Sequence, residues 1–279
     1  MSDPSDVGAL LQRLIADDPG RPRVTWYGGG GERVELSAKV LDNWVAKTAN
    51  LLVDSLDAEP GTRVGLALPG HWRTAVWLLG TWVAGACAVA LPADRLDVLV
   101  AEPPVEPLPG GALTVAVPLP ALATTAGPLP PGVVDGAAET RIQPDRFVPL
   151  SRPEPGDPAL DADPAARPSG TGPDTSPDGG LDTSPDAGSG TGLGTGLGTG
   201  LGTGTTSHGD LLAVARARAE HRGWQTGVRL LVPGSVTVHG CVEWLLAPLC
   251  RNGSVVLVGV DAGPDLDRIT RQEGVTAHF

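Results

Sequence analysis

Residues 63–91 constrain the fold more than any other stretch. RVGLALP (63–69) is a continuous apolar run, HWRTAVWLLGTWVA (71–84) has the length of a helix, and ACAVAL (86–91) is a second apolar run. Trp72, Trp77 and Trp82 recur every five residues, so on a helix they point to three different sides. A helix that is apolar all round is buried. Two apolar strands joined by a buried helix form a βαβ unit, in a parallel sheet covered on both faces. The uncharged stretch from Thr74 to Ala93 has the length of a membrane span. Gly85, however, divides a helical half from a β-rich half and Pro92 ends it, so two buried elements are expected instead of one span.

The same alternation extends in both directions. Residues 6–17 carry Val7, Leu10, Leu11, Leu14 and Ile15 on one helical face. RVTWY and RVELS flank Gly28–Gly31 and read as a hairpin, because the glycines lead into an alternating strand and not into a helix. Ser37 is placed to cap a helix reaching about Leu56, with Val40, Leu41, Trp44, Val45, Thr48, Leu51 and Leu52 as its apolar stripe. DVLVAE (97–102) and LTVAVP (113–118) read as strands, after which prolines dilute the pattern until RFVPL (146–150). Past the next break, Ser207 and Asp210 open a helix over HGDLLAVARARAEH that Gly223 ends. VRLLVP (228–233), a helix over Val236–Asn252, SVVLVGV (254–260), a helix over Leu266–Glu273 and a strand in VTAHF follow. The fold class is therefore α/β, with layered, mostly parallel, doubly wound sheets flanked by helices.

Between these halves lies a low-complexity insert. Residues 151–206 hold almost no large apolar side chain, DTSPD recurs at 174 and 182, and GTGL recurs at 190, 194 and 198. Such a stretch buries too little surface to offset its ordering entropy, so it is expected to be disordered. The domain reading is a lobe over 1–150, the insert over 151–206, and a second βαβ lobe of the same domain over 207–279. The formal charge is −12, and half of it falls in residues 150–206, where eight acids face two arginines. With no Lys/Arg stripe, nucleic acid and anionic membrane are excluded as partners. Three cysteines, Cys87, Cys241 and Cys250, make no disulfide framework and no metal-ligand spacing, which fits a reducing cytoplasm. The acidic N-terminal stretch has no secretory pattern.

Several strings resemble AMP-binding, adenylate-forming enzymes, the superfamily of acyl-CoA synthetases, luciferases and adenylation domains. Gly61-Thr62-Arg63-Val64, Leu68-Pro69 and Ala84-Gly85-Ala86 fall where that family has its GxRVxLxLP…AGA segment. SHGDLLA (207–213) resembles the THxNLLA stretch after the family's phosphate loop, and LLAPLCRNGSVVLV resembles its LLAPLxxGxxVVL helix and strand. More closely, the chain resembles short bacterial proteins related to the N-terminal part of these enzymes. The family's loop ends in a lysine. The nearest strings here, Ser169–Pro173, Ser189–Gly192 and Gly204–Ser207, have none, and DPALDADPAARP before them is expected to make a poor strand. Residues 92–97 are too few for the crossover helix the family has there.

The resemblance implies ATP or AMP as cofactor and a small acyl or nucleotide ligand, with room for a protein partner. No residue is assigned a catalytic or metal-binding role. Five positions are candidates for ligand binding. Thr205, Thr206 and Ser207 either hold an anion at the following helix N-terminus or simply end the insert at a cap. Ser235 either caps a helix or donates to a ligand. His239 lies near the family's acyl-pocket residue but reads better as a surface or core histidine. The expected function is a truncated adenylate-forming-enzyme-like domain without complete catalytic activity, in a vestigial or binding and regulatory role. The alternative is an ATP-dependent acid ligase with a divergent phosphate loop or a partner supplying the remaining half.

Overall fold

The computed structural model describes residues 3–162, 204–234, 236–260 and 266–279. The expected core unit is present. β3 (Arg63–Ala67) leads through α3 (Trp72–Val83) to β4 (Cys87–Val89), which pairs parallel to it with Val64 opposite Ala88. Every α3 residue from Trp72 to Trp82 is buried, so the five-residue tryptophan spacing is satisfied on all sides. Trp82 also donates its indole N–H to the Ala159 carbonyl at 2.9 Å.

Around this unit run two sheets. The smaller has strand order β12 (Ala277–His278), β10 (Arg229–Pro233), β11 (Ser254–Val258), β1 (Pro22–Tyr27), β2 (Arg33–Ser37). The larger runs β7 (Val133–Asp135), β6 (Leu113–Ala116), β5 (Val98–Ala101), β3, β4, β8 (Pro158–Asp161), β9 (Thr205–Ser207). Both are parallel except at one edge, where β2 and β9 run antiparallel to β1 and β8. The α/β class with two largely parallel sheets flanked by helices is therefore as expected. The lobes read along the chain are interleaved in space, because β1 pairs with β11, Val24 opposite Val255, and the N-terminal hairpin completes the sheet of residues 229–278.

α1 (Val7–Asp17), α2 (Ala38–Asn50) and α3 supply the helical layer between the sheets, α2 and α3 resting on β1 and α3 also on β4. Ser37 caps α2 as expected, accepting the Val40 N–H at 3.3 Å. Leu41, Val45, Thr48, Leu51 and Leu52 of its stripe are buried, Trp44 is half-buried, and Val40, at the stripe's edge, is exposed. α5 (His208–His221) ends before Gly223, whose φ of +66° the glycine allows. On the outer face of the smaller sheet, Tyr27, Leu231, Val256 and Val258 take Ile269 of α7 (Leu266–Glu273). Glu273 fastens that helix by accepting from Tyr27, Arg33 and Arg229. Among the described residues no helix is long and apolar enough to cross a membrane.

Three expectations are corrected. The stretch that prolines and aspartates were expected to spoil does form β8: Ala159 and Leu160 are buried, and Ala88 and Val89 pair with Leu160 and Asp161. Pro158 stands at the first position of the strand, where a missing N–H removes no interior ladder bond, and Asp161 is neutralised by Arg63 at 3.0 Å. The insert therefore does not begin at residue 151. Its remaining part, 163–203, lies outside the described residues. β7 and α4 (Gly136–Ile142) arise in the stretch where prolines dilute the pattern, and Val148 and Leu150 of RFVPL are exposed. Finally, the single helix expected over Val236–Asn252 is a 3₁₀ turn (Val238–Gly240), a π turn (Val242–Leu246) and a short α6 (Ala247–Cys250). Pro248 lacks the N–H needed for a regular i to i−4 bond, and the preceding turn widens. Between β4 and β5 there is no helix, as the short 92–97 connection implies.

Candidate functional site

Parallel α/β sheets place ligands outside the carboxyl ends of their strands. At that end of β3 the chain turns through Gly70 into α3. A Cβ on Gly70 would lie 2.8 Å from the Gly234 carbonyl oxygen and 2.9 Å from the Val236 side chain. Only glycine allows the turn after β3 to touch the turn after β10, so the carboxyl ends of the two sheets meet here.

His71 stands beside this contact and caps α3. Its Nδ1 accepts the Arg73 N–H at 3.1 Å, which leaves the proton of the neutral ring on Nε2, and its ring lies edge-on to Trp26 at 4.2 Å. Only 2% of the residue is exposed. Burial, then the Arg73 charge, pulls its pKa down to about 3, with the Leu119 carbonyl offsetting part of this. Such a ring is too weak a base to take a proton at neutral pH. Arg73 is also buried; it donates to the Ala123 carbonyl at 2.7 Å and stacks over Trp72 at 4.5 Å. Burial lowers its pKa to about 10 against the pull of Asp135, so the guanidinium stays charged. Among the described residues the Nε of Arg73 and the indole nitrogens of Trp26 and Trp72 make no hydrogen bond, and Nε2 of His71 faces only the Leu119 carbonyl. These N–H groups are closed off from solvent, so the corner holds buried donors and does not present them at a surface.

The residues singled out in the sequence are dispersed. β8 pairs Asp161 with Thr205, at its carboxyl end, and Pro158 with Ser207, at its amino end. Thr206 lies between them, opposite Leu160. Ser207 is the cap of α5: its hydroxyl accepts the Asp210 N–H at 3.2 Å and donates to the Asp210 carboxylate at 2.7 Å. The next N–H groups are also taken, His208 by the Asp157 carbonyl and Gly209 by the Pro155 carbonyl, both at 2.9 Å. Among the described residues the first N–H groups of the helix are thus each matched with a protein acceptor. His239 sits exposed on the 3₁₀ turn after β10, and Ser235 lies outside the described residues. Cys241, two positions on, is fully buried and its thiol is pushed up to about 12 by that burial, so it is inert at neutral pH.

Sequence reasoning missed His71, Arg73 and the Arg63–Asp161 pair. The LPGH string did mark His71 as a helix start. That its ring would be closed over by Trp26 and by the chain after β6 depends on residues 45 and more positions away in sequence.

No family model matches the chain. A TIGR03089 family protein of Mycobacterium tuberculosis (strain ATCC 25618 / H37Rv) is 43% identical over 156 residues, 53% of this chain and 64% of that protein. Among solved structures, an acyl-CoA synthetase of Brucella canis matches with a TM-score of 0.64 at 16% identity, over 98% of this chain and 46% of its own. The nonribosomal peptide synthetase FmoA3 matches with a TM-score of 0.60 at 15% identity, over 99% of this chain and 25% of its own. The chain thus has the fold of part of these synthetases. It spans less than two thirds of the curated relative and less than half of either structure.

Proposed function

We propose that this chain is an adenylate-forming-type domain without complete catalytic activity, serving to bind a small acyl or nucleotide ligand or to regulate a partner. One observation carries the reading. By the resemblance the segment before SHGDLLA is where the family's phosphate loop belongs, yet residues 162–204, between β8 and β9, contain no lysine and a single basic residue, Arg167. Phosphate loops of that kind pair backbone N–H groups with a cation, and the charge here is acidic instead. By the same resemblance the ligand is ATP, AMP or an acyl-adenylate, and the protein works in the cytoplasm.

The persistence of β8 favours a second reading, an ATP-dependent acid ligase whose divergent loop works with a partner. ATP–pyrophosphate exchange with a panel of carboxylic acids separates the two. No exchange, together with AMP binding by titration calorimetry, is the expected result. Carboxylate-dependent exchange by the chain alone overturns the first reading, and exchange only after adding a partner supports the second.

A further inference from the structure

At the opposite end of the larger sheet, where β4 and β8 begin, lies a cavity of about 870 Å³. Pockets for small organic ligands range over about 300–1,000 Å³. α1, the first half of α2, the end of α3, the strap 145–155 and the start of α5 enclose it. Its body is apolar, built from Leu11, Val45, Ala46, Trp82, Val83 and Phe147.

The polar groups on its wall divide into used and unused. Asp6 caps α1 through the Ala9 N–H at 2.8 Å, Asp42 accepts from Gln12 at 3.0 Å and pairs with Lys39, and Asp145 pairs with Lys47 at 2.9 Å. Arg146 and Arg152 also line the cavity, and among the described residues neither has a carboxylate within ion-pair distance. His208 places its Nε2 3.1 Å from the Gly85 carbonyl, so the neutral ring donates there and keeps Nδ1 as an acceptor. Its burial favours that neutral form, with the Gly85 and Ala86 carbonyls in partial opposition. The strap is pinned at both ends, since Asn50 donates to the Pro144 and Arg146 carbonyls and Pro153 packs on Gly85. The backbone that carries the two exposed arginines is therefore fixed at the rim of an open, largely apolar pocket.

We propose that this cavity is a second ligand site, which takes a single small amphipathic carboxylate. The hydrocarbon body lies against Trp82, Val45 and Ala46, and the carboxylate meets Arg146 and Arg152. The two arginines, with no carboxylate within ion-pair distance among the described residues, select an anionic head, and the apolar volume selects a chain or ring of modest size. The site is independent of the nucleotide reading, because it lies at the amino ends of the strands and its test contains no nucleotide.

The experiment is calorimetric titration of the full chain with decanoate, and with decan-1-ol as the uncharged isostere. Saturable one-to-one binding of decanoate is expected, with the alcohol weaker by about tenfold or more. The double change Arg146→Gln, Arg152→Gln, at exposed positions that do not bear on folding, weakens decanoate by a similar factor. Ala9→Phe, which fills the chamber from its half-buried rim, abolishes binding while thermal unfolding shows the chain still folded. Absence of saturable heat with decanoate overturns the proposal. Equal affinity for acid and alcohol, or decanoate binding indifferent to both arginine changes or to Ala9→Phe, overturns it as well.

Discussion

The two sheets are covered differently. The smaller has β1, β10 and β11 of five or six residues, with α2 and α3 on one face and α7 on the other. The larger has strands of three to five residues, and its outer face is covered by connecting chain: Leu91 and Leu96 close over Gly65, and Thr114 accepts the Leu108 N–H at 3.1 Å. Helical cover brings side chains in fixed rows, backed by rigid backbone. Irregular cover meets the sheet with the tips of flexible side chains. The first kind should resist change more than the second.

The largest effect is expected where backbone faces backbone. A Cβ on Gly253, before β11, would lie 2.2 Å from the Val228 carbonyl oxygen and 2.8 Å from that of Pro248, and neither can retreat without breaking a strand entry or a helix end. Gly253→Val should destabilise by upwards of about 3 kcal/mol in urea unfolding. An unchanged midpoint would show that the smaller sheet is no more rigid than the larger. Second is Arg63→Met, which leaves the buried Asp161 carboxylate without its arginine. A loss of about 3 kcal/mol is expected, because the buried carboxylate loses the arginine that offsets its desolvation. That change should also loosen the β8 edge selectively, read as faster amide exchange at Ala90 and Leu160, which an even, global destabilisation would not reproduce.

Third is the junction of the two sheets. The pKa of His71 in the folded chain, about 3, lies below its ordinary 6.5, so the unfolded chain takes the proton first as pH falls. The stability carried by the neutral ring is complete above about pH 6.5 and is lost progressively down to about pH 3. The slope reaches about 1.4 kcal/mol per pH unit. His71→Asn keeps an acceptor for the Arg73 N–H and should flatten that part of the curve. Identical slopes in the two proteins would remove His71 from the account. Smaller still is Gly65→Ala, whose Cβ meets only the methyl ends of Leu96 and Leu91 at 2.8–3.1 Å. About 1 kcal/mol is expected, since those ends can rotate away. Leu150→Ser, on the exposed strap, should change stability by no more than about 0.5 kcal/mol.

The same contrast explains what could be read in advance. α1, α2 and α5 carry apolar faces, α3 is apolar all round, and all four have side-chain caps; α1, α3 and α5 end close to where expected, while α2 runs on toward the expected Leu56 only through a π turn, Leu51–Ser55. The runs that became β3, β10 and β11 are long enough to stand out from their surroundings. β7 is three residues of intermediate burial and α4 only two turns, too short for a period to emerge. β8 was discounted on composition, but its proline falls at the one harmless position and its aspartate finds an arginine two strands away. Of the candidate site, Ser207 was legible because a cap is a local device. His71, Arg73 and the chamber around Trp82 were not, since each depends on segments distant in the chain.

By itself, then, the sequence determined the α/β class, the buried βαβ unit at residues 63–91 and the absence of a lysine between β8 and β9, because these are properties of composition and of short-range period. Tertiary structure alone decided that the N-terminal hairpin completes the sheet of the last fifty residues, that β8 forms, and that His71 is sealed while Arg146 and Arg152 meet no carboxylate among the described residues. Those outcomes depend on which surfaces meet, and no local pattern encodes a distant neighbour.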